Sequence, residues 1–218
     1  MDNERILIAA VSSVEETKNL AGKLAAFLQP GDVILLSGDL GAGKTQFTQG
    51  LAAGLGANEA VISPTFNIVL TYGSGRLPLH HFDLYRLEDD GQLEDIALRE
   101  YLESDGVCVI EWAEKFPTAY DEYLALYIEK TGDDERTING FARGKRGEEL
   151  LEHLKREFDA DREGIWETEI FGKTLNELVR EGMGGKLAHL PEEARGKLRD
   201  ALEKIINEGG GGMICILL

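Results

Sequence analysis

Lys44 and Thr45 end the octapeptide Gly38-Asp39-Leu40-Gly41-Ala42-Gly43-Lys44-Thr45, a complete GxxxxGKT pattern. Residue types at that spacing suit one task, the binding of a nucleoside triphosphate. Glycines let consecutive backbone N–H groups turn inward on a phosphate chain. A helix beginning directly behind them presents its positive end to the same anion. Lys44 would reach the β- and γ-phosphates, and the Thr45 hydroxyl would bind Mg²⁺. The motif needs a strand before it and a helix after it. Asp32-Val33-Ile34-Leu35-Leu36 reads as a buried strand, and the stretch from Gln46 to Leu55 has helical character.

Two acids complete such a site. Glu111 follows the apolar run Val107-Cys108-Val109-Ile110, and Asp83 follows Leu79-His80-His81-Phe82. Both carboxylates would emerge at C-terminal strand ends, where α/β sheets build their sites. One would hold Mg²⁺, directly or through water, and the other would orient or deprotonate the attacking water. The assignment adopted puts Glu111 on the metal and Asp83 on the water, with the reverse left open. Thr65, in Ser63-Pro64-Thr65-Phe66, either senses the γ-phosphate as a switch loop does or sits in an ordinary proline turn. Trp112, beside Glu111, either stacks near the nucleotide or fills the core. His80 and His81 are neighbours, so in a strand they point to opposite faces and cannot hold a metal together; both read as structural. No guanine-reading NKxD segment occurs, which favours ATP over GTP. No arginine finger stands out either. Such a finger is worth roughly 10³ to 10⁵ in rate, so slow hydrolysis accelerated by a partner is expected.

Composition narrows the classes. With 218 residues the chain can hold one comfortable domain and a small appendage. No stretch approaches the roughly 18 apolar residues of a membrane span, and the N-terminus lacks a signal-peptide layout. Cys108 and Cys215 lie in apolar runs without CxxC spacing, as buried thiols of a reducing cytoplasm do. The net charge is −17, with no Lys and Arg stripe. Direct nucleic-acid binders carry the opposite sign, so any service to a nucleic-acid pathway is expected to run through another protein. Acids concentrate between Glu88 and Asp105, where Arg99 is the lone full cation. That segment is either a solvated face or a docking face for a basic partner.

The elements that must position these residues follow from periodicity. Arg5 to Ala10 suggests a first strand. A Ser-x-x-Glu cap then leads into a helix carrying Leu20, Leu24, Phe27 and Leu28, which Pro30-Gly31 stops. After Gly56 the chain turns β-rich. Ile68 to Tyr72 and Leu77 to Phe82 read as a hairpin broken at Gly73-Ser74-Gly75. Gln92 to Leu102 is helical, Tyr123 to Lys130 and Thr137 to Phe141 form another hairpin, and Gly147 to Phe158 closes the domain as a short helix. The expectation is an α/β fold: a P-loop NTPase three-layer core over residues 1–158 with a mixed sheet and antiparallel hairpins. A charged link at 159–164 follows, then a small, mostly helical appendage over 165–218. In that appendage Leu175, Leu178 and Val179 mark one helix, Pro191 opens a second, Gly209 to Gly212 is a hinge, and Met213 to Leu218 is an apolar run.

The strings SGDLGAGKTQFTQGLAAGLG, SPTFNIV, HFDLYRL and VCVIEWAE together resemble the TsaE family, the ATPase of bacterial tRNA threonylcarbamoyladenosine synthesis. The resemblance covers about residues 1–158. It implies a cytoplasmic, Mg²⁺-dependent ATPase that binds the TsaD–TsaB pair and supports repeated modification of the adenosine beside the anticodon, without itself transferring the carbamoyl group. It maps ATP binding onto Gly41, Ala42, Gly43, Lys44 and Thr45, the metal ligands onto Thr45 and Glu111, and the acid of HFDLYR onto Asp83. From about Gly164 the chain is instead similar to the C-terminal end of stage IV sporulation protein A, a spore-coat ATPase whose own ATPase domain is missing here. That implies either an added surface for a sporulation or membrane-associated partner or a passive tail. The alternative function is therefore a coat or scaffold module that uses nucleotide binding to control assembly.

Overall fold

The computed structural model describes residues 5–166, 169–170 and 173–174. Its elements run β1 (Ile6–Val11), α1 (Val14–Phe27), β2 (Val33–Ser37), α2 (Lys44–Gly54), β3 (Val69–Tyr72) and β4 (Leu79–Asp83). Then come α3 (Gly91–Asp95), α4 (Leu98–Leu102), β5 (Val107–Glu111), a 3₁₀ turn (Ala113–Lys115), β6 (Tyr123–Lys130), β7 (Arg136–Arg143) and α5 (Gly144–Trp166). A two-residue pair, β8 (Glu169–Ile170) and β9 (Lys173–Thr174), follows.

β2, β4 and β5 are buried at every residue. Burial along the whole strand belongs to parallel strands covered on both faces, and β2 and β5 carry the apolar runs that suit it. The sheet order is β1-β7-β6-β2-β5-β4-β3, with β6, β2, β5 and β4 mutually parallel. The two expected hairpins extend this centre antiparallel at either side, β3 on β4 and β7 on β6, and β1 closes the far edge against β7. Alternation sends successive residues to opposite layers. Ile34, Leu36 and Val109 join Leu24, Phe47, Leu51, Leu150 and Leu154 under α1, α2 and α5. Val33, Leu35, Cys108 and Ile110 join Leu84, Leu98, Phe116 and Tyr120 on the other side. The expected three-layer α/β architecture with a mixed sheet is thus present. Cys108 is buried, and desolvation pushes its thiol up to about 12.

Local chemistry sets the helix ends. Ser13 caps α1 by accepting the Glu16 N–H at 3.1 Å, while the Glu16 carboxylate returns to the Ser12 N–H at 2.9 Å, which satisfies donors at both ends of the first turn. Asp32, at the foot of β2, takes Nε and Nη2 of Arg146 at 2.8 and 2.9 Å, and this forked pair pins the start of α5 beneath the sheet.

Two expectations change. The helix expected over Gln92 to Leu102 is two short ones, because Ala97 adopts a left-handed backbone (φ 51) that breaks the hydrogen-bond ladder. The last helix is longer than Gly147 to Phe158: α5 spans Gly144–Trp166 and runs straight through 159–164, the segment read as a link. Charge density misled there. Asp, Ala, Arg and Glu propagate a helix already nucleated on the sheet, and the single Gly164, at a cost of about 1 kcal/mol relative to alanine, does not stop it. The helices expected around Leu175 and after Pro191, the Gly209–Gly212 hinge, Cys215 and the terminal apolar run lie outside the described residues.

Gly50 lets α2 approach α1 closely. A Cβ there would sit 2.7 Å from the Lys18 Cα and 2.8 Å from the Ala21 Cβ. Gly50→Ala, which in an open helix gains about 1 kcal/mol, should instead lose roughly 1–3 kcal/mol by overpacking. A urea midpoint that falls at constant m-value checks this; a rise would contradict the helix contact.

Candidate nucleotide site

The phosphate loop joins buried β2 to α2, and its shape depends on backbone that side chains disfavour. Gly38, Gly41 and Gly43 have φ of 143, 79 and 118. At Gly38 a Cβ would also run into the Ile128 carbonyl of β6, so both conformation and space demand glycine. Gly43 stands at the N-cap of α2 with no side-chain cap, leaving the first-turn N–H groups to face outward. The loop is braced from behind: the Ala42 N–H donates to the Asp39 carbonyl at 3.1 Å, and Arg136 Nε of β7 donates to the Ala42 carbonyl at 2.8 Å. Leu40 is 93% exposed and Asp39 is exposed too, so these two serve the loop through backbone rather than side chain.

Lys44 is 5% exposed and folds back across the loop, donating to the Gly38 and Asp39 carbonyls at 2.6 and 3.0 Å. Its ammonium lies 4.2 Å from the centre of the Trp112 ring. Trp112 therefore lines the site as a cation–π partner while its half-buried ring also packs against the core. Burial lowers the Lys44 pKa, against the raising influence of Glu111, Glu114, Asp83 and Asp39. A lysine surrounded by four acids is a cation held where anions gather.

The parallel register brings the acids together. Glu111 is paired with Leu36 on one side and Asp83 on the other, so both carboxylates stand at adjacent strand tips beside the loop. The Thr45 hydroxyl donates to Glu111 Oε1 at 2.9 Å. Asp83 accepts the Thr65 hydroxyl at 2.5 Å, the Ser63 hydroxyl at 3.3 Å and the Tyr85 N–H at 3.0 Å. Thr65 is thus tied to a site acid, which a free-standing proline turn would not do, while its neighbour Phe66 is 87% exposed.

Four contributors escaped the sequence reading. His81, expected to be structural, places Nε2 2.9 Å from Glu111 Oε1. His80 matches the expectation, with its nitrogens on Thr71 and Ser104. Arg136 is distant in sequence. Lys115 donates to the carbonyls of Tyr85 (2.8 Å) and Leu87, holding the turn after Asp83. Glu114 accepts the Ser37 hydroxyl at 2.6 Å. For His81 a signal existed: it lies two residues before Asp83, hence on the same strand face.

The residues suit Mg²⁺ shared with a substrate. Among the described residues no three His, Cys, Asp or Glu side chains gather into a self-sufficient metal cage. A hydroxyl and one or two carboxylates beside an anion cradle are the oxygen donors Mg²⁺ takes when phosphates supply the rest.

Residues 11–138 match the family model described as threonylcarbamoyl adenosine biosynthesis protein TsaE. The chain belongs to the TsaE family. The tRNA threonylcarbamoyladenosine biosynthesis protein TsaE of Bacillus subtilis is 51% identical over 146 residues, covering 65% of this chain and 89% of that relative. The corresponding protein of Treponema pallidum is 40% identical over 129 residues, 58% of this chain and 95% of its own length. The crystal structure of Bacillus subtilis YdiB superposes with a TM-score of 0.61 at 42% identity, over 71% of this chain and 96% of that one. Residues 143–218 match a second model, sporulation stage IV protein A, C-terminal, which begins ahead of the expected link and takes in α5. No helix among the described residues of this TsaE-family chain is long and apolar enough to cross a membrane.

Thr65→Val removes a hydrogen bond to Asp83 while keeping the side chain's shape. Losing about 1 kcal/mol there should speed amide exchange of the segment around Thr65 and Phe66 roughly fivefold with the sheet unchanged. Exchange mass spectrometry reads this directly; unaltered rates would remove the Thr65–Asp83 bond from control of that loop.

Proposed function

We propose that this chain binds Mg·ATP, hydrolyses it slowly when alone, and supports threonylcarbamoyladenosine modification of tRNA in the cytoplasm through the TsaD–TsaB complex. The observation that carries the reading is the convergence of Thr45, Glu111 and Asp83 beside a glycine cradle, with Lys44 buried among them. The cradle's N–H groups would bind phosphate oxygens, and Lys44 would exchange its loop carbonyls for the β- and γ-phosphates. Thr45 can offer an oxygen lone pair to Mg²⁺ while its hydrogen stays on Glu111. The ion, when bound, would neutralise charge on the leaving phosphate. Asp83, held by three donors, would orient the attacking water, and Thr65 would couple that acid to the loop that meets the γ-phosphate.

Service to tRNA through protein partners agrees with the chain's charge. At −17 it repels a phosphate backbone, whereas a protein surface imposes no such penalty. The relatives' shared name supplies the pathway, and the partner pair follows from the resemblance of the motifs. A second reading, a coat-assembly module under nucleotide control, is favoured only by the sporulation match at 143–218.

Three measurements test the proposal. Isothermal titration with Mg·ATP should saturate for the parent chain and give no heat for Lys44→Ala. Asp83→Asn should bind as the parent does and turn over at least about tenfold more slowly, as loss of a positioned acid–base group implies. Added to purified TsaD, TsaB and tRNA, the full chain should raise its own ATPase rate and sustain several rounds of modification. Nucleotide binding without either effect would favour the coat-assembly reading.

A further inference from the structure

His81 is a buried ring at the floor of the site. It is fully buried in β4, with Val109 of β5 and Leu70 of β3 opposite it. Its Nε2 lies 2.9 Å from Glu111 Oε1, the same oxygen that accepts the Thr45 hydroxyl. A carboxylate oxygen accepts, so the imidazole hydrogen sits on Nε2 and donates. Its Nδ1 has no hydrogen-bond partner, so the ring is committed to one contact.

We propose that His81 is a positioning residue for the nucleotide-bound cation, acting through Glu111. Two donors converge on Oε1, and both fix the carboxylate's rotation so that Oε2 is left for the ion or its water. The donors differ in one respect. Thr45, at the start of α2, must also bind the metal, so its hydroxyl serves two partners once Mg·ATP arrives. His81 is fully buried in the sheet and has no second hydrogen-bond partner, so it serves Glu111 alone while Thr45 is shared with the metal. Without the ring the carboxylate would have to be ordered at the moment of binding, and that entropy would come out of metal affinity. The inference rests on the reading of Glu111 as the metal acid.

The test compares His81→Gln, whose amide N–H reaches the position of Nε2, with His81→Asn, whose shorter amide cannot reach Glu111, and with His81→Leu. Mg²⁺ is titrated against protein and ATP, with calorimetric ATP affinity and thermal melting as readouts. His81→Gln should keep the parent's Mg²⁺ dependence. His81→Asn and His81→Leu should need roughly 10- to 100-fold more Mg²⁺ for half the effect, the usual cost of losing a residue behind a metal ligand. Their ATP affinity in chelator should stay that of the parent. Equal Mg²⁺ dependence in the Gln and Asn variants overturns the proposal. So does failure of both amide variants to fold, which would make His81 structural only. If His81→Leu alone unfolds, the two amides decide. A parent chain whose ATP affinity ignores Mg²⁺ would instead sink the reading of the site.

Discussion

One carboxylate oxygen joins the two halves of this site. Glu111 Oε1 takes hydrogens from Thr45, which belongs to the phosphate loop and α2, and from His81, which belongs to β4. Glu111 itself ends β5, the strand between them in the sheet. The pairing works only because β2, β5 and β4 are parallel and in register, so that their C-terminal tips stand level. A slip of one residue would turn Glu111 to the opposite layer and away from the loop.

The surrounding structure can be understood as what holds those tips level. Both faces of the parallel centre are covered, by α1, α2 and α5 on one side and by α3, α4 and the loops around Phe116 and Tyr120 on the other. Gly50 brings α2 against α1, which sets the axis of the helix that begins at the phosphate loop. Gly38 lets the loop pass over the Ile128 carbonyl, and Arg136 ties its far side to β7. The added hairpins therefore do more than widen the sheet. One carries the loop's brace, and the other carries Asp83 and His81.

Buried and exposed parts of the site differ in chemistry. Glu111, Asp83, His81 and Lys44 are buried. Phe66 and Leu40, which flank the same site, are almost wholly exposed, as are much of Ile62 and Tyr85. Apolar side chains open to solvent thus rim a polar centre that is itself buried.

The local parts of this arrangement were legible in residue order. The glycine spacing at 38–45, the apolar strands before Glu111 and Asp83, the Ser13 cap and both hairpins depend on contacts a few residues apart or on alternation, and each is present. Helix ends were less legible: Ala97 breaks one helix with a left-handed backbone that no glycine announced, and α5 runs through a charged segment because its earlier turns already pack on the sheet. Contacts between distant residues were the least legible, although the spacing of His81 from Asp83 put both on one strand face. That His81 meets Glu111, that Arg136 meets Ala42 and that Trp112 lies over Lys44 follow from strand order and register. Those are properties of which strand neighbours which, and a chain read in one dimension carries no distance between them.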